Sequence, residues 1–230
     1  MAPTTKKTEW RVQVADAHTT AVFEPARQAQ AETVFVCAHG AGGHMNDRAM
    51  LALAEQLCGR GMHIVRFNFL YREHGSARPD PMPLLKGCIG AVVARVRAEL
   101  DPKRLIIGGR SMGGRAASML AAEGFGCAGL LLLAYPLHPA GKPGQLRDAH
   151  LPKIEMPTLC LNGTRDTLCR RHLMDQVVTR LSDAWTMRWL EGADHSFHVL
   201  KSSGRTDADV LEEVGDASAT WLARVRPENS

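Results

Sequence analysis

Polar and apolar residues alternate in EWRVQV and TTAVFEP, which predicts a pair of outer strands joined by a short polar link at Asp16 and Ala17. Later runs differ. TVFVCAH, MHIVRFNF, RLIIGG, CAGLLLLAY and PTLCLNG are apolar almost throughout and rich in branched residues, the pattern of strands covered on both faces. WTMRWLEG predicts one more strand. Between the strands, helical spacing predicts helices over 47–57, 84–100, 115–123, 169–181 and 207–225, with Gly61 as a stop after the first. LYREHGSARPDPMP and PLHPAGKPGQLRDAHLPKIEM are proline-containing connections and read as loops. Strands alternating with helices predict an α/β fold. Its mostly parallel sheet has about eight strands, the first of them antiparallel, and helices on both faces. A folded domain over 9–225 is expected, with polar tails at 1–8 and 226–230.

Composition narrows the function without choosing it. With 230 residues and 45% hydrophobic content, the chain suffices for one domain with a substantial core. The net charge of +4 comes from scattered Lys and Arg, so nucleic-acid binding is not expected. The longest apolar run, AGLLLLAYPL, is too short to cross a membrane, and MAPTTKKTEW lacks the apolar core of a secretory signal. Six cysteines without CxxC spacing read as buried thiols in a reducing compartment, which makes the cytoplasm the expected location.

In open α/β sheets ligands bind beyond the carboxyl ends of the strands, so the residues that follow each strand test for chemistry. They are HGAGG (39–43), GRSMG (109–113), TRD (164–166) and DHSF (194–197). Gly109-Arg110-Ser111-Met112-Gly113 matches G-x-S-x-G, a turn in which glycines leave room for a serine held in a strained conformation. An acid and a histidine follow in the order Ser, Asp, His. A serine hydroxyl is a poor nucleophile until a base takes its proton, so His195 is assigned as base and Asp166 as the group that orients it. The Met112 amide, at the head of the next helix, and the Ala41 amide are the expected oxyanion donors. Asp194 is a rival acid, although its adjacency to His195 makes a side-chain contact awkward. His198 is a rival base, and Ser111 as a simple helix cap leaves the flanking glycines unexplained.

Other glycine and histidine patterns point nowhere comparable. HGAGGHM has Met45 where a dinucleotide fingerprint needs its third glycine, and no Gly-Lys-Ser/Thr occurs. His150, His172 and His198 lack metal-ligand spacing, so neither metal nor cofactor is expected.

These residues resemble the α/β-hydrolase superfamily. More narrowly, HGAGGHMN, RFNFLY with ARPDP, GGRSMGGR, YPLHPAGKPGQLRDAHL, LNGTRD and GADHSF resemble the dienelactone-hydrolase-like branch that includes the testis-expressed and non-specific-lethal-complex hydrolase-like proteins. The resemblance implies an α/β-hydrolase fold, and no insertion between the motifs is long enough for a full helical cap domain. It also implies Ser111, Asp166 and His195 as a triad, with Ala41 and Met112 as oxyanion hole. Dienelactone hydrolase itself has cysteine at the elbow, so its substrate does not carry over to Ser111. Some eukaryotic members resemble complex subunits, which keeps a non-catalytic scaffold as an alternative, alongside an acyltransferase using the same residues.

The expected activity is therefore hydrolysis of a small-molecule ester, thioester or lactone. Two connections, 70–83 and 136–156, are the expected walls of the site, carrying Tyr71, Arg72, His74, Arg78, His138 and Lys142. They suggest either a basic rim that favours acidic esters or ordinary solvated loop charges. His39, Gly42, Tyr71, Arg72 and His138 are the candidate substrate contacts, with His39 alternatively ordering its own loop. Composition and spacing leave the oligomeric state open.

Overall fold

A computed structural model describes residues 6–28 and 31–227. Its eight strands are β1 (Thr8–Val14), β2 (Ala17–Glu24), β3 (Thr33–Ala38), β4 (Met62–Phe67), β5 (Arg104–Arg110), β6 (Gly129–Leu133), β7 (Thr158–Gly163) and β8 (Trp185–Leu190). They form one sheet in the order β1-β2-β4-β3-β5-β6-β7-β8. β1 pairs antiparallel with β2, and β2 antiparallel with β4; every other pairing is parallel. The first hairpin turns at Ala15 and Asp16, because Val14 pairs with Ala17, so Ala17 belongs to β2 and not to the link. Ala15 takes the left-handed conformation that so tight a connection requires.

Among the described residues six α-helices surround the sheet: α1 (Arg48–Cys58), α2 (Leu70–Glu73), α3 (Met82–Leu100), α4 (Met112–Ala122), α5 (Arg171–Val178) and α6 (Asp207–Leu222). Alternation along each strand splits the core in two. Val34, Val36 and Ala38 of β3 face the layer of α3 and α4. Phe35 and Cys37 face the opposite layer, where Leu53 and Leu57 of α1 meet Val210, Val214 and Trp221 of α6. The fold is that of an α/β hydrolase without a large cap.

The strand order reverses direction at β3. The chain leaves β3 through α1 to reach β4 on one side, then crosses back through α3 to β5 on the other. Connections from adjacent β3 and β5 therefore diverge and leave a crevice at their carboxyl ends, the position at which such sheets bind ligands. Residues 39–43 and Ser111 emerge there.

Several expectations are adjusted, among them the predicted helices 169–181 and 207–225, which end earlier as α5 and α6. Part of the 70–83 connection folds as α2, since Leu70 and Tyr71 are buried. α3 begins at Met82, with Pro83 in its first turn where a missing N–H costs nothing. α4 begins at Met112, so Gly113 and Gly114 are helical despite their poor propensity. The N-terminal tail lies mostly outside the described residues, and Thr8, assigned to it, is the first residue of β1. Residues 228–230 of the C-terminal tail also lie outside them. No described helix is long and apolar enough to cross a membrane. Cys37, Cys58, Cys88, Cys160 and Cys169 are buried, and burial pushes each thiol up, Cys58 to about 11 and Cys37 to about 12.

Candidate active site

Ser111 sits where β5 turns into α4, with φ 47° and ψ −114°, a strained conformation for a residue with a side chain. Its amide donates to Leu133 O at 2.8 Å and its carbonyl accepts from Arg115 N at 2.9 Å, so strand and helix are both tied to the turn. The glycines earn their place by contact. A Cβ on Gly109 would overlap the Ala38 backbone, and one on Gly113 would lie 2.6 Å from His39 O and 2.7 Å from Ala38 Cβ. Gly109 also has φ +134°. The close approach of β5 and α4 to β3 depends on both residues lacking side chains.

Asp166 follows β7. Its carboxylate is buried, and it accepts from Leu168 N at 2.8 Å through Oδ1 and from Asn162 Nδ2 at 3.1 Å through Oδ2. His195 follows β8 on a loop held against β7, where Gly163 approaches the Ala193 backbone too closely for any side chain. His195 Nδ1 donates to Asp166 Oδ2 at 2.8 Å, and His195 Nε2 lies 2.9 Å from Ser111 Oγ. Because the carboxylate can only accept, Nδ1 carries the proton and Nε2 is left to accept from the serine hydroxyl. Three side chains from three strand ends therefore form one continuous hydrogen-bonded chain.

The rivals are placed elsewhere. Asp194 Oδ1 accepts from Ser196 N at 2.7 Å and His198 N at 3.1 Å, so it closes its own turn. His198 pairs with Asp207 at 3.0 Å, which raises the imidazole above its usual range.

Ala41 is exposed and lines the same cleft as Ser111, and half-buried Met112 follows Ser111 in the chain. Among the described residues neither amide donates to a protein acceptor. A cleft of about 370 Å³ opens at Ser111 and His195; Gly40, Ala41, Asp47, Met50, Arg110 and Leu168 also line it.

Several candidate substrate contacts are corrected. His39 is fully buried, its Nδ1 2.8 Å from Gly40 O and its Nε2 accepting from Phe69 N at 3.1 Å. Desolvation lowers its pKa to about 4, so it is a neutral tie between the 39–43 loop and the end of β4. His138 is equally buried, with Nδ1 3.0 Å from Pro139 O and Nε2 accepting from Arg170 N at 3.4 Å. Tyr71 is buried with its hydroxyl 3.5 Å from Gly40 O, and Arg72 donates to Ser76 O at 3.1 Å. Gly42 is exposed at φ +75° on the loop beside the cleft. None of these five residues lines the cleft around Ser111, so the expected loop walls give way there to α1, Arg110 and Leu168.

Three residues escaped the sequence reading. Asn162 holds Asp166 and bridges to Tyr135 through N–H···O bonds at 3.0 and 3.1 Å; a polar side chain inside an apolar strand was its signal. Arg66 is fully buried, pairs with Glu24 and donates to Met45 O, which anchors the loop that follows Ala41. The charge within MHIVRFNF marked it. Arg110 Nη2 donates to His195 O at 3.0 Å and its guanidinium lies 5.5 Å from the Phe197 ring centroid, a position that G-x-S-x-G leaves unspecified.

Residues 31–223 match the family described as alpha/beta hydrolase domain, and the chain belongs to that family. Solved structures share its fold at low identity. A serine hydrolase homologue from Coxiella burnetii is 20% identical with a TM-score of 0.75, over 91% of this chain and 96% of that one. A dienelactone hydrolase from Anabaena variabilis is 18% identical with a TM-score of 0.74, over 96% and 98% of the two chains. A serine hydrolase described as lacking a lid, from Xanthomonas campestris, is 20% identical with a TM-score of 0.73, over 95% and 96%.

Proposed function

We propose that this protein is a serine hydrolase that cleaves small carboxylic esters, thioesters or lactones through an acyl-enzyme. The observation that carries this reading is the chain Ser111 Oγ, His195 Nε2, His195 Nδ1, Asp166 Oδ2, with contacts of 2.9 and 2.8 Å. Ser111 Oγ attacks the carbonyl carbon while its proton passes to Nε2, and Asp166 stabilises the imidazolium that forms. The Met112 and Ala41 amides receive the developing oxyanion, each such donor contributing about 3 kcal/mol in comparable sites. The tetrahedral intermediate collapses, the leaving alcohol or thiol takes the proton from Nε2, and water repeats the sequence to release the acid. Kinship with proteins named as serine hydrolases supports the chemistry. The buried, undissociated thiols fit a reducing compartment such as the cytoplasm.

Incubation with a fluorophosphonate followed by peptide mass spectrometry tests this reading. A single adduct on Ser111, with turnover of chromogenic esters abolished in Ser111→Ala, is the expected result. Absence of both adduct and turnover would reassign the fold to a binding role.

A further inference from the structure

The cleft at Ser111 does not end at Arg110. Ala49, Arg110 and Ser196 also line a second cavity of about 540 Å³, which continues between α1 and α6 over Leu53, Phe197 and Leu211, with Arg48, Glu55, Gln56 and Asp207 on its polar walls. Arg110 stands at the junction. Among the described residues its guanidinium makes no ion pair within 4.0 Å, its one hydrogen bond is the donation to His195 O, and its buried Nε has no acceptor. Asp194, Asp47 and Asp166 act on its charge without touching it, and each holds hydrogen bonds elsewhere. Asp47 accepts from His44 N at 2.8 Å and lies 3.2 Å from His44 Nε2, Asp194 caps its own turn, and Asp166 holds His195. On the second cavity, Asp207 is bound by His198 and Val199 N. A half-buried cation without a carboxylate partner, at the elbow of a two-chambered groove, is arranged to receive an anion from outside the protein.

We propose that Arg110 and the second cavity form a specificity subsite for an elongated ester that carries an anionic group. The ester carbonyl lies at Ser111, and the anion, at the far end of the acyl chain, pairs with Arg110 where the second cavity opens. The anion is a carboxylate or a phosphate, since a guanidinium fork takes either. This assignment rests on the hydrolase reading above and adds the substrate class to it. It also replaces the basic rim expected from the two loops with one half-buried arginine next to the nucleophile.

The test compares paired 4-nitrophenyl esters of one diacid, such as suberate, with the far carboxylate ionised or capped as its methyl ester, at low ionic strength. For the unmodified protein kcat/KM is expected to favour the ionised ester by about tenfold or more. In Arg110→Gln that ratio falls to about one, whatever happens to the absolute rates, and Arg110→Lys retains part of it. A matched ω-phosphate ester distinguishes the two anions. Calorimetric binding of ionised and capped suberate monoethyl ester to Ser111→Ala, with and without Arg110→Gln, reads the subsite when no turnover is seen. A ratio near one in the unmodified protein, an unchanged ratio in Arg110→Gln, or equal binding of the two monoesters would overturn the proposal. Fluorophosphonate labelling of Ser111 reports separately on the hydrolase reading.

Discussion

Asp166 and His195 are 29 positions apart and follow different strands, yet His195 Nδ1 lies 2.8 Å from Asp166 Oδ2. Asp194, the immediate neighbour of His195, turns its carboxylate onto the Ser196 and His198 amides instead. Adjacent residues on a tight turn point apart, so the histidine must find its acid across the sheet edge. Asn162 fixes that acid from below.

This arrangement separates two aspartates that a sequence alone leaves as rivals. Asp166→Asn keeps the shape but offers the imidazole an amide that can favour the wrong tautomer, and kcat is expected to fall by about 10³–10⁴. Asp194→Ala removes two turn hydrogen bonds and should cost stability by about 1 kcal/mol, with kcat reduced by about tenfold at most. Ester kinetics beside urea unfolding of both variants checks the assignment. Equal losses of activity would contradict it.

His39 makes stability depend on acid. Its folded pKa is about 4 against an ordinary value of 6.5, because burial disfavours the imidazolium. Above pH 6.5 both folded and unfolded forms are neutral and the group is indifferent. As pH falls from 6.5 to 4 the unfolded chain takes up a proton that the folded one refuses, so stability is lost through that window and levels off below it. For His39 the loss between pH 7.5 and pH 5 is about 2 kcal/mol. His150, also lowered to about 4 by burial, adds in the same direction. Urea midpoints across this range should show a shallower slope for His39→Asn than for the parent.

Two glycines near the site should respond differently to alanine. Gly113 lies against His39 O and Ala38, with Cβ contacts of 2.6 and 2.7 Å that only backbone movement can relieve. Gly42 has φ +75° but nothing within 4 Å of its Cβ. Gly42→Ala should cost about 1 kcal/mol of conformational strain. Gly113→Ala should cost about 3 kcal/mol or more and displace α4 with its Ser111 end. Thermal unfolding of the pair measures the contrast.

Much of this was legible in residue order because the sheet is buried on both faces. TVFVCA, RLIIG and TLCLNG announce their strands, and a parallel sheet sends the residues after them to one edge. Ser111, Asp166 and His195 could be placed on that edge without coordinates. Burial of individual histidines could not. His39 does order its loop, as one of its two sequence readings has it, but His138 looks like an exposed polar contact in sequence, and only tertiary packing shows that both rings are enclosed with each nitrogen against a backbone partner. The groove wall from α1 was hidden for a related reason. Ala49 and Met50 read as ordinary helical positions, and their part in the cleft depends on the angle at which α1 leaves β3. Helix α2 went unread because four residues carry too little periodicity to register.

The account turns on a covalent intermediate at residue 111, and rapid-quench kinetics with a 4-nitrophenyl ester tests it most directly. The expected result is a burst of 4-nitrophenolate of about one equivalent per protein molecule when deacylation is slow. The acyl group should then be recovered after acid quench on the peptide that contains Ser111, and lost in Ser111→Ala. Turnover at an unchanged rate in Ser111→Ala, or an acyl adduct recovered on a peptide that lacks Ser111, would contradict it.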